Sequence, residues 1–144
     1  MPLVYFDSSA LVKLLDEEAG SELAAELWDG SDAAVASRLA YPEVRAALAA
    51  AARNHDLADH DLDAAEQAWD SYWAATRSVE LTAAVEQHAG QLARSHALRG
   101  GDAVHLASAL AMSDSDLVFA VWDRRLHGGA LAAGLRVAPA QLDA

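Results

Sequence analysis

Four acidic side chains stand at positions from which carboxylates could act together: Asp7, Glu43, Asp102 and Asp123. Clustered carboxylates repel one another, and proteins tolerate that cost mainly where a hard cation neutralises the charge. Carboxylate oxygens are the ligands that Mg²⁺ and Mn²⁺ prefer. The four residues therefore predict a binding site for Mg²⁺ or Mn²⁺, provided that the fold brings them to one place.

Two of the four acids each follow an apolar run that is typical of a buried β-strand. Asp7 follows Leu3-Val4-Tyr5-Phe6, and Asp123 follows the run over residues 117–122. The carboxyl ends of parallel strands line the binding crevice of an open sheet. Both aspartates are therefore expected at that edge of the sheet, close to each other.

The other two acids lie near the starts of predicted helices. Asp102 follows Gly100-Gly101, where the missing side chains let the backbone approach closely, and it opens an apolar helix. Glu43 lies early in an alanine-rich helix that ends near Asn54, and Pro42 indicates that this helix either begins there or is kinked. An acid of this kind taken alone is often a cap, turn or surface residue, whereas the combination favours a site.

Strand and helix patterns alternate along the chain. Strands are predicted at residues 2–7, 33–36, 79–81, 117–122 and 135–137. Helices are predicted at residues 9–16, 59–75, 102–111 and 124–133. Two further helices are predicted to begin at caps, one from Ser21 to residue 28 and one from Thr82 to residue 97. The alanine-rich helix that contains Glu43 and ends near Asn54 is the seventh. This alternation indicates an α/β fold in which a parallel β-sheet has helices on both faces, a Rossmann-like three-layer arrangement. The length of 144 residues suits a single domain over residues 1–144.

Composition excludes several classes of protein. The chain has no cysteine, so neither disulfides nor thiolate chemistry are expected. No basic segment opens the sequence as in a signal peptide, and no apolar run reaches the ~20 residues of a membrane span. A cytoplasmic protein without a membrane partner is therefore expected. The net charge of −12 argues against nucleic-acid binding, which depends mainly on Lys and Arg.

The basic residues, however, are concentrated around the four acids. The windows 1–13, 37–49, 96–108 and 117–129, each centred on one of the acids, contain no other Asp or Glu and hold six of the ten basic residues. The six are Lys13, Arg38, Arg45, Arg99, Arg124 and Arg125. Apolar strands exclude acids in any case, which accounts for part of this segregation. The remainder indicates that a polyanion could approach the predicted site although the whole chain is acidic.

One histidine and three tryptophans invite a functional interpretation. His105 lies one helical turn after Asp102 and could orient that carboxylate, but a histidine packed in the core is the favoured interpretation. Trp122 could stack on a base, but packing beside the strand is favoured. Trp69 and Trp73 lie on one helical face and indicate a core or partner contact.

Four segments together resemble the motifs of PIN-domain proteins, and most closely those of VapC-type toxins from bacterial toxin–antitoxin pairs. The segments are Phe6-Asp7-Ser8-Ser9-Ala10-Leu11-Val12-Lys13, Pro42-Glu43-Val44, Arg99-Gly100-Gly101-Asp102-Ala103-Val104-His105-Leu106-Ala107 and Trp122-Asp123-Arg124-Arg125-Leu126. The likeness spans nearly the whole chain, and the first and third segments are its most specific parts. Similar proteins often carry Thr or Ser two residues before the last Asp, where Val121 stands here.

The resemblance implies an RNA-cleaving nuclease whose acidic quartet is Asp7, Glu43, Asp102 and Asp123. Asp7 is then the first candidate for a direct ligand of Mg²⁺ or Mn²⁺, and Asp102 is a direct or water-mediated one. Such an ion lowers the pKa of a bound water, which can attack phosphorus in line, so no catalytic His or Cys is required. The implied partners are an RNA substrate, a cognate VapB-like antitoxin and a second copy of the chain, in homodimers and in toxin–antitoxin hetero-oligomers.

Five further residues are candidates for contacting the RNA: Ser8, Ser9, Lys13, Arg124 and Arg125. The two hydroxyls could bind a water or a phosphate, and no base partner in the sequence points to a serine nucleophile. The three basic side chains could hold the RNA backbone, although solvated surface charges explain them equally well.

Other functions stay open on the sequence alone. An interaction module could keep this fold without catalysis; the four intact acids argue against it, and Val121 leaves it possible. An aspartate-nucleophile phosphatase would need a second Asp two residues after the first, where Ser9 stands. A phospho-receiver domain would need a lysine late in the chain, and Lys13 is the only lysine.

Overall fold

A computed structural model describes residues 2–143, and its five strands form one parallel sheet. The strands are β1 (Leu3–Phe6), β2 (Ala33–Ser37), β3 (Thr76–Val79), β4 (Val118–Ala120) and β5 (Arg136–Ala138). Their order across the sheet is β3-β2-β1-β4-β5, and every neighbouring pair is parallel. The predicted α/β fold with a parallel sheet is therefore confirmed.

Seven helices connect and cover the strands. They are α1 (Ser8–Val12), α2 (Ser21–Gly30), α3 (Ala40–Arg53), α4 (Asp59–Ala74), α5 (Ala83–Ser95), α6 (Gly100–Ala111) and α7 (Arg124–Ala132). Among the described residues, no helix combines the length and the apolar character that crossing a membrane requires.

The sheet has an apolar core on each face because successive side chains of a strand point in opposite directions. Val4 and Phe6 of β1 pack in one core, which α1, α3 and α4 close. Tyr5 packs in the other, which α5, α6 and α7 close. Trp69 of α4 is fully buried and Trp73 packs against the same core, so the core interpretation of this aromatic pair is confirmed. The result is the predicted three-layer arrangement.

The strand order reverses beside β1, and this reversal creates the crevice. From β1 the chain adds β2 and then β3 on one side, before it crosses to place β4 on the other side of β1. The last residues of the two central strands are in register, with Phe6 opposite Ala120. Ligands of open α/β sheets bind outside the carboxyl ends of the strands at such a reversal. The residues after β1 and β4 therefore face a shared crevice.

Several predicted boundaries were wrong, and each error has a local cause. The third strand covers Thr76–Val79 and not residues 79–81, because it is a polar edge strand whose pairing with β2 leaves no apolar pattern in the sequence. The first helix ends at Val12 and not at residue 16, since i→i+3 hydrogen bonds at Leu14 and Leu15 tighten the chain into turns. Pro42 lies in the first turn of α3, which begins two residues earlier, where its missing N–H leaves no hydrogen bond unmade.

One predicted helix cap was wrong and one is confirmed. Ser21 is the first residue of α2, and its hydroxyl donates to the carbonyl of Asp16 instead of capping the helix. The cap position belongs to Gly20, whose φ of +93° is in the left-handed region that favours glycine. Thr82 caps α5 as predicted, accepting a hydrogen bond from the Val85 N–H at 3.2 Å.

Candidate active site

The four acids share one cleft of about 130 Å³ at the carboxyl edge of the sheet. It is lined by Asp7, Ser8, Ser9, Glu43, Arg99, Asp102, His105 and Asp123. The acids come from four parts of the chain: the ends of β1 and β4, and the first turns of α3 and α6. The fold thus brings together all four residues that the sequence singled out.

Asp7 is both a helix cap and the most buried acid of the cleft. Its side chain accepts a hydrogen bond from the Ala10 N–H at 2.9 Å, and the Ser9 hydroxyl donates to its two oxygens at 3.0 and 2.9 Å. Only 4% of the residue is exposed, and this burial raises the pKa of Asp7 from 3.8 to about 6, with the Asp102 charge adding to the rise. The hydrogen bonds and the charge of His105 limit that rise.

Asp123 also caps a helix while it lines the cleft. Its Oδ1 accepts from the Leu126 N–H at 2.9 Å, and its side chain is 34% exposed. Asp102, in the first turn of α6, is 17% exposed at its side chain. Asp7 and Asp123 therefore serve both as helix caps and as part of the cleft. This is compatible because a capping carboxylate keeps oxygen lone pairs for a second partner.

Arg99 connects two of these acids. Its Nε donates to Asp102 Oδ2 at 3.1 Å, and one of its terminal nitrogens lies 3.5 Å from Asp123 Oδ2. The side chain nevertheless remains 73% exposed at the mouth of the cleft. The hydrogen bond and charge of Asp102, with the charge of Asp123, raise the pKa of Arg99 above its usual value. The sequence predicted that Arg99 lies near the site, but it did not predict these contacts.

Glu43 is held by a buried histidine. His105 Nε2 lies 2.7 Å from Glu43 Oε1, and the Ser8 hydroxyl donates to the same oxygen at 2.6 Å. Burial by itself raises the pKa of Glu43, but the hydrogen bonds from His105 and Ser8, with the charge of His105, outweigh it and lower the pKa. His105 is 2% exposed, so the core interpretation is confirmed, but the acid that it contacts is Glu43 and not Asp102.

A hydrogen-bond chain ties His105 to the sheet. The Ser37 N–H donates to the Tyr5 hydroxyl at 3.0 Å, and that hydroxyl lies 2.8 Å from His105 Nδ1. Burial raises the pKa of Tyr5 well above its usual range, so the phenol keeps its proton. Tyr5 thus fixes the orientation of the His105 ring from the side opposite Glu43.

The predicted RNA-contacting residues fall into three groups. Ser8 and Ser9 lie in the acidic cleft, where they donate to Glu43 and Asp7. Arg124 and Arg125 line a larger cleft of about 560 Å³ that shares Arg99, Asp102 and Asp123 with the acidic one. Lys13 lies outside both clefts.

Lys13 points instead toward the segment before α2. Its Nζ is 3.0 Å from Glu18 Oε1 and donates to the Ala19 carbonyl at 2.7 Å. The same Nζ lies 5.1 Å from the centre of the Trp122 ring, which is partly buried. Val121 is fully buried in the core and does not line the acidic cleft, so it offers no polar contact there.

The donor set of the cleft fits a hard divalent cation in its chemistry, since all four acids offer carboxylate oxygens. As their side chains stand, however, no three Asp, Glu or His residues in the described range 2–143 are close enough to hold a metal ion. Asp102 and Asp123 turn toward Arg99, while Glu43 turns toward His105. An ion held by these four carboxylates would therefore require side-chain rotations.

Gly101 leaves room for Glu43, and this predicts a difference between two adjacent glycines. A Cβ on Gly101 would stand 3.1 Å from Glu43 Oε2, whereas one on Gly100 would meet no atom within 4 Å. Gly101→Ala should lower the activity of the site about three- to tenfold, because the Glu43 carboxylate must shift by a few tenths of an ångström and catalysis is sensitive to the placement of such groups. Gly100→Ala is the matched control and should keep activity within about twofold, by the same reasoning. The measurement is the catalytic rate of each purified variant. Equal rates for the two variants would contradict the packing argument.

Known proteins resemble this chain both in sequence and in fold. The family model named PIN domain matches residues 4–125. Ribonuclease VapC45 of Mycobacterium tuberculosis strain CDC 1551 is 76% identical over 143 residues, which cover 99% of both chains. Among solved structures, M. tuberculosis VapC20, a sarcin-ricin loop cleaving toxin, has a TM-score of 0.67 at 20% identity, with 92% of this chain and 95% of that chain covered. A toxin–antitoxin complex from Klebsiella pneumoniae has a TM-score of 0.68 at 17% identity, with 97% and 99% covered. These two structures show likeness of fold.

Proposed function

This chain belongs to the PIN domain family, and we propose that it is a VapC-type endoribonuclease toxin that hydrolyses RNA phosphodiester bonds with a divalent cation. One observation carries the proposal: four carboxylates from four separate elements line one small cleft at the carboxyl edge of a parallel sheet. A relative that is 76% identical and named a ribonuclease supports it. The nuclease is a single domain over residues 1–144.

The cation is Mg²⁺ or Mn²⁺, with Asp7 and Asp102 as its first ligands and Glu43 and Asp123 completing the shell or orienting waters. When bound, such an ion polarises a phosphate oxygen and lowers the pKa of a water. Asp7 suits a ligand role because hydrogen bonds from Ser9 and Ala10 hold its carboxylate in place. Pre-oriented ligands of this kind lower the cost of assembling a reactive geometry.

Glu43 acts as the acceptor that orients the attacking water. His105 and Ser8 both occupy its Oε1, so Oε2 is left for a further hydrogen bond. The lowered pKa of Glu43 keeps this carboxylate ionised at neutral pH, as an acceptor must be. His105 therefore acts as a positioning residue, with Tyr5 fixing its ring from the other side.

The reaction is tested by cleavage of a labelled RNA with the purified protein, in Mg²⁺ or Mn²⁺ and in excess EDTA. The proposal requires cleavage that depends on the added ion and that is lost in Asp102→Asn. Cleavage at the same rate in EDTA would overturn the metal requirement. An absence of cleavage with every RNA tried, alongside measurable metal binding, would favour the alternative of an inactive interaction module.

RNA approaches along the larger cleft, and this makes a prediction about salt. Arg124→Ala combined with Arg125→Ala should weaken RNA binding and flatten its dependence on salt, since each lost phosphate contact reduces the slope of log K against log salt by about one. Metal binding should be unchanged, because neither arginine lines the acidic cleft. The measurement is cleavage or binding at a series of salt concentrations for both proteins. An unchanged slope would mean that the RNA enters elsewhere.

An antitoxin of VapB type is the proposed protein partner. A guanidinium from another chain could block the cleft, because Arg–carboxylate pairs are strong and bidentate. We expect a basic antitoxin residue to reach Asp7 and Asp102, with apolar anchors on the surface near residues 9–28. There Leu14, Leu15 and Trp28 are only partly buried. Co-purification with the product of the neighbouring gene tests this pairing, and equal cleavage with and without that product would count against it. Homodimers and toxin–antitoxin hetero-oligomers are the proposed assemblies.

A further inference from the structure

We propose that Arg99 is a built-in counter-ion that leaves the carboxylates when the divalent cation binds and then holds the phosphate of the RNA. The inference rests on the proposed nuclease function. Arg99 is the only Lys or Arg in residues 2–143 that is ion-paired with any of the four acids. It pairs with two of them at once, Asp102 and Asp123, which α6 and the end of β4 bring together.

The positions of the acids explain why a resident cation is needed. Asp7 is buried, and the charge of Asp102 already disfavours its ionisation. Without a metal, Asp102 and Asp123 would add two further charges to the same small cleft. A guanidinium lying on both oxygens relieves the repulsion, because its planar fork of donors can serve two carboxylates.

Arg99 can give up its present contacts with the two carboxylates and form others. Its side chain is 73% exposed, so the guanidinium stays hydrated and its pairs are weak compared with buried ones. The nearby Arg124, by contrast, donates to the backbone carbonyl of Asp143 at 2.6 Å. Within residues 2–143, the Arg99 side chain has no hydrogen bond or ion pair apart from those to the two carboxylates that a divalent cation would claim.

Arg99 also stands at the boundary between the two clefts. It lines the acidic cleft of about 130 Å³ and the cleft of about 560 Å³ that holds Arg124 and Arg125. A guanidinium released there lies within reach of a phosphate that enters along the arginines. Guanidinium binds phosphate by paired, charge-assisted hydrogen bonds. Metal binding and phosphate binding would thus be coupled, since the first sets free the group that serves the second.

This exchange predicts opposite effects of one substitution on two ligands. Arg99→Gln should tighten Mn²⁺ binding about three- to tenfold, because two partly exposed ion pairs no longer compete with the metal. The same change should raise the KM for RNA at saturating Mn²⁺ about tenfold, because a phosphate contact is lost. If Arg99 merely holds Asp102 and Asp123 in place for the metal, the first effect has the opposite sign.

The test uses isothermal titration calorimetry with Mn²⁺ on metal-stripped full-length protein, followed by steady-state cleavage of a labelled RNA. Arg124→Ala is the matched control: it removes a nearby positive charge that is not paired with the acids, so it should keep Mn²⁺ affinity within about twofold. Arg99→Lys keeps the charge without the fork and should give an intermediate Mn²⁺ affinity.

Each result bears on one claim. The exchange is supported if Arg99→Gln binds Mn²⁺ more tightly than wild type and has a raised KM for RNA, while Arg124→Ala keeps the wild-type Mn²⁺ affinity. Weaker or unchanged Mn²⁺ binding overturns it, and so does tighter binding with an unchanged KM, because Arg99 would then serve as a shield alone. If the wild-type protein itself gives no Mn²⁺ heat and Asp7→Asn behaves identically, the metal-dependent function fails, a result distinct from failure of the exchange.

Discussion

Asp7→Asn should abolish RNA cleavage and yet make the metal-free protein more stable at neutral pH. The pKa of Asp7 is about 6 in the folded protein and 3.8 without the fold, so the folded state binds the proton more tightly. The contribution of Asp7 to stability is therefore greatest at low pH and falls as the pH rises from about 4 to above 6. The full difference is on the order of 3 kcal/mol. Asparagine carries no charge and is an equally good helix cap, so it avoids this cost.

Urea unfolding in EDTA measures the effect. At pH 8 we expect Asp7→Asn to exceed wild type by about 1–3 kcal/mol in free energy of unfolding, and at pH 4 by far less. Asp123→Asn is the matched control. It also caps a helix, but its side chain is 34% exposed, so its charge stays hydrated and the gain should be small. A loss of stability in Asp7→Asn at pH 8 would contradict the burial argument.

Metal-linked stabilisation should decline progressively as the pH falls below about 6. A divalent cation binds ionised carboxylates, so below the Asp7 pKa of about 6 protons compete for the same oxygens. Above that pH, an ion at 100 times its Kd should raise the free energy of unfolding by about 2.7 kcal/mol. At pH 5 the apparent affinity should be roughly tenfold lower, following one proton per site. Unfolding with and without Mg²⁺ across this pH range measures the change.

Ser9→Ala is the matched variant for this pH dependence. The Ser9 hydroxyl donates to both oxygens of Asp7 and lowers its pKa, so its removal should move the midpoint to higher pH. All four acids are unchanged in this variant, and the Ala10 N–H still donates to the Asp7 carboxylate. A midpoint near pH 4 in the wild-type protein would show that Asp7 is not the group that competes with the metal, and a midpoint that Ser9→Ala does not move would show the same.

The central fold could be predicted because its signals are local. The runs before Asp7 and Asp123 are apolar enough to mark buried parallel strands, and strand ends in such sheets meet at one edge. The edge strand Thr76–Val79 was predicted at the wrong residues because its half-exposed polar side chains form no such apolar run. Ser21 was misassigned because a serine after a glycine looks the same whether it caps the helix or begins it.

The acids of the site could be predicted, but the side chains that hold them could not. Asp102 and His105 are one turn apart in the sequence, which favoured a contact between them. The observed partner of His105 is Glu43, 62 residues away. Likewise, the contact between Arg99 and Asp123 depends on how α6 packs beside the end of β4. Contacts of this kind follow from the relative placement of elements, which a single sequence does not contain.

The double use of Asp7, as the cap of α1 and as part of the cleft, has a consequence for how such a gene can change over generations. One base change turns an aspartate codon into an asparagine codon. Because asparagine keeps the hydrogen bond that begins the helix, the resulting protein would fold and would accumulate. A cell could thus lose a harmful activity in one step without producing a misfolded chain for its proteases to clear. Inactive copies that still occupy the antitoxin would be the expected by-products.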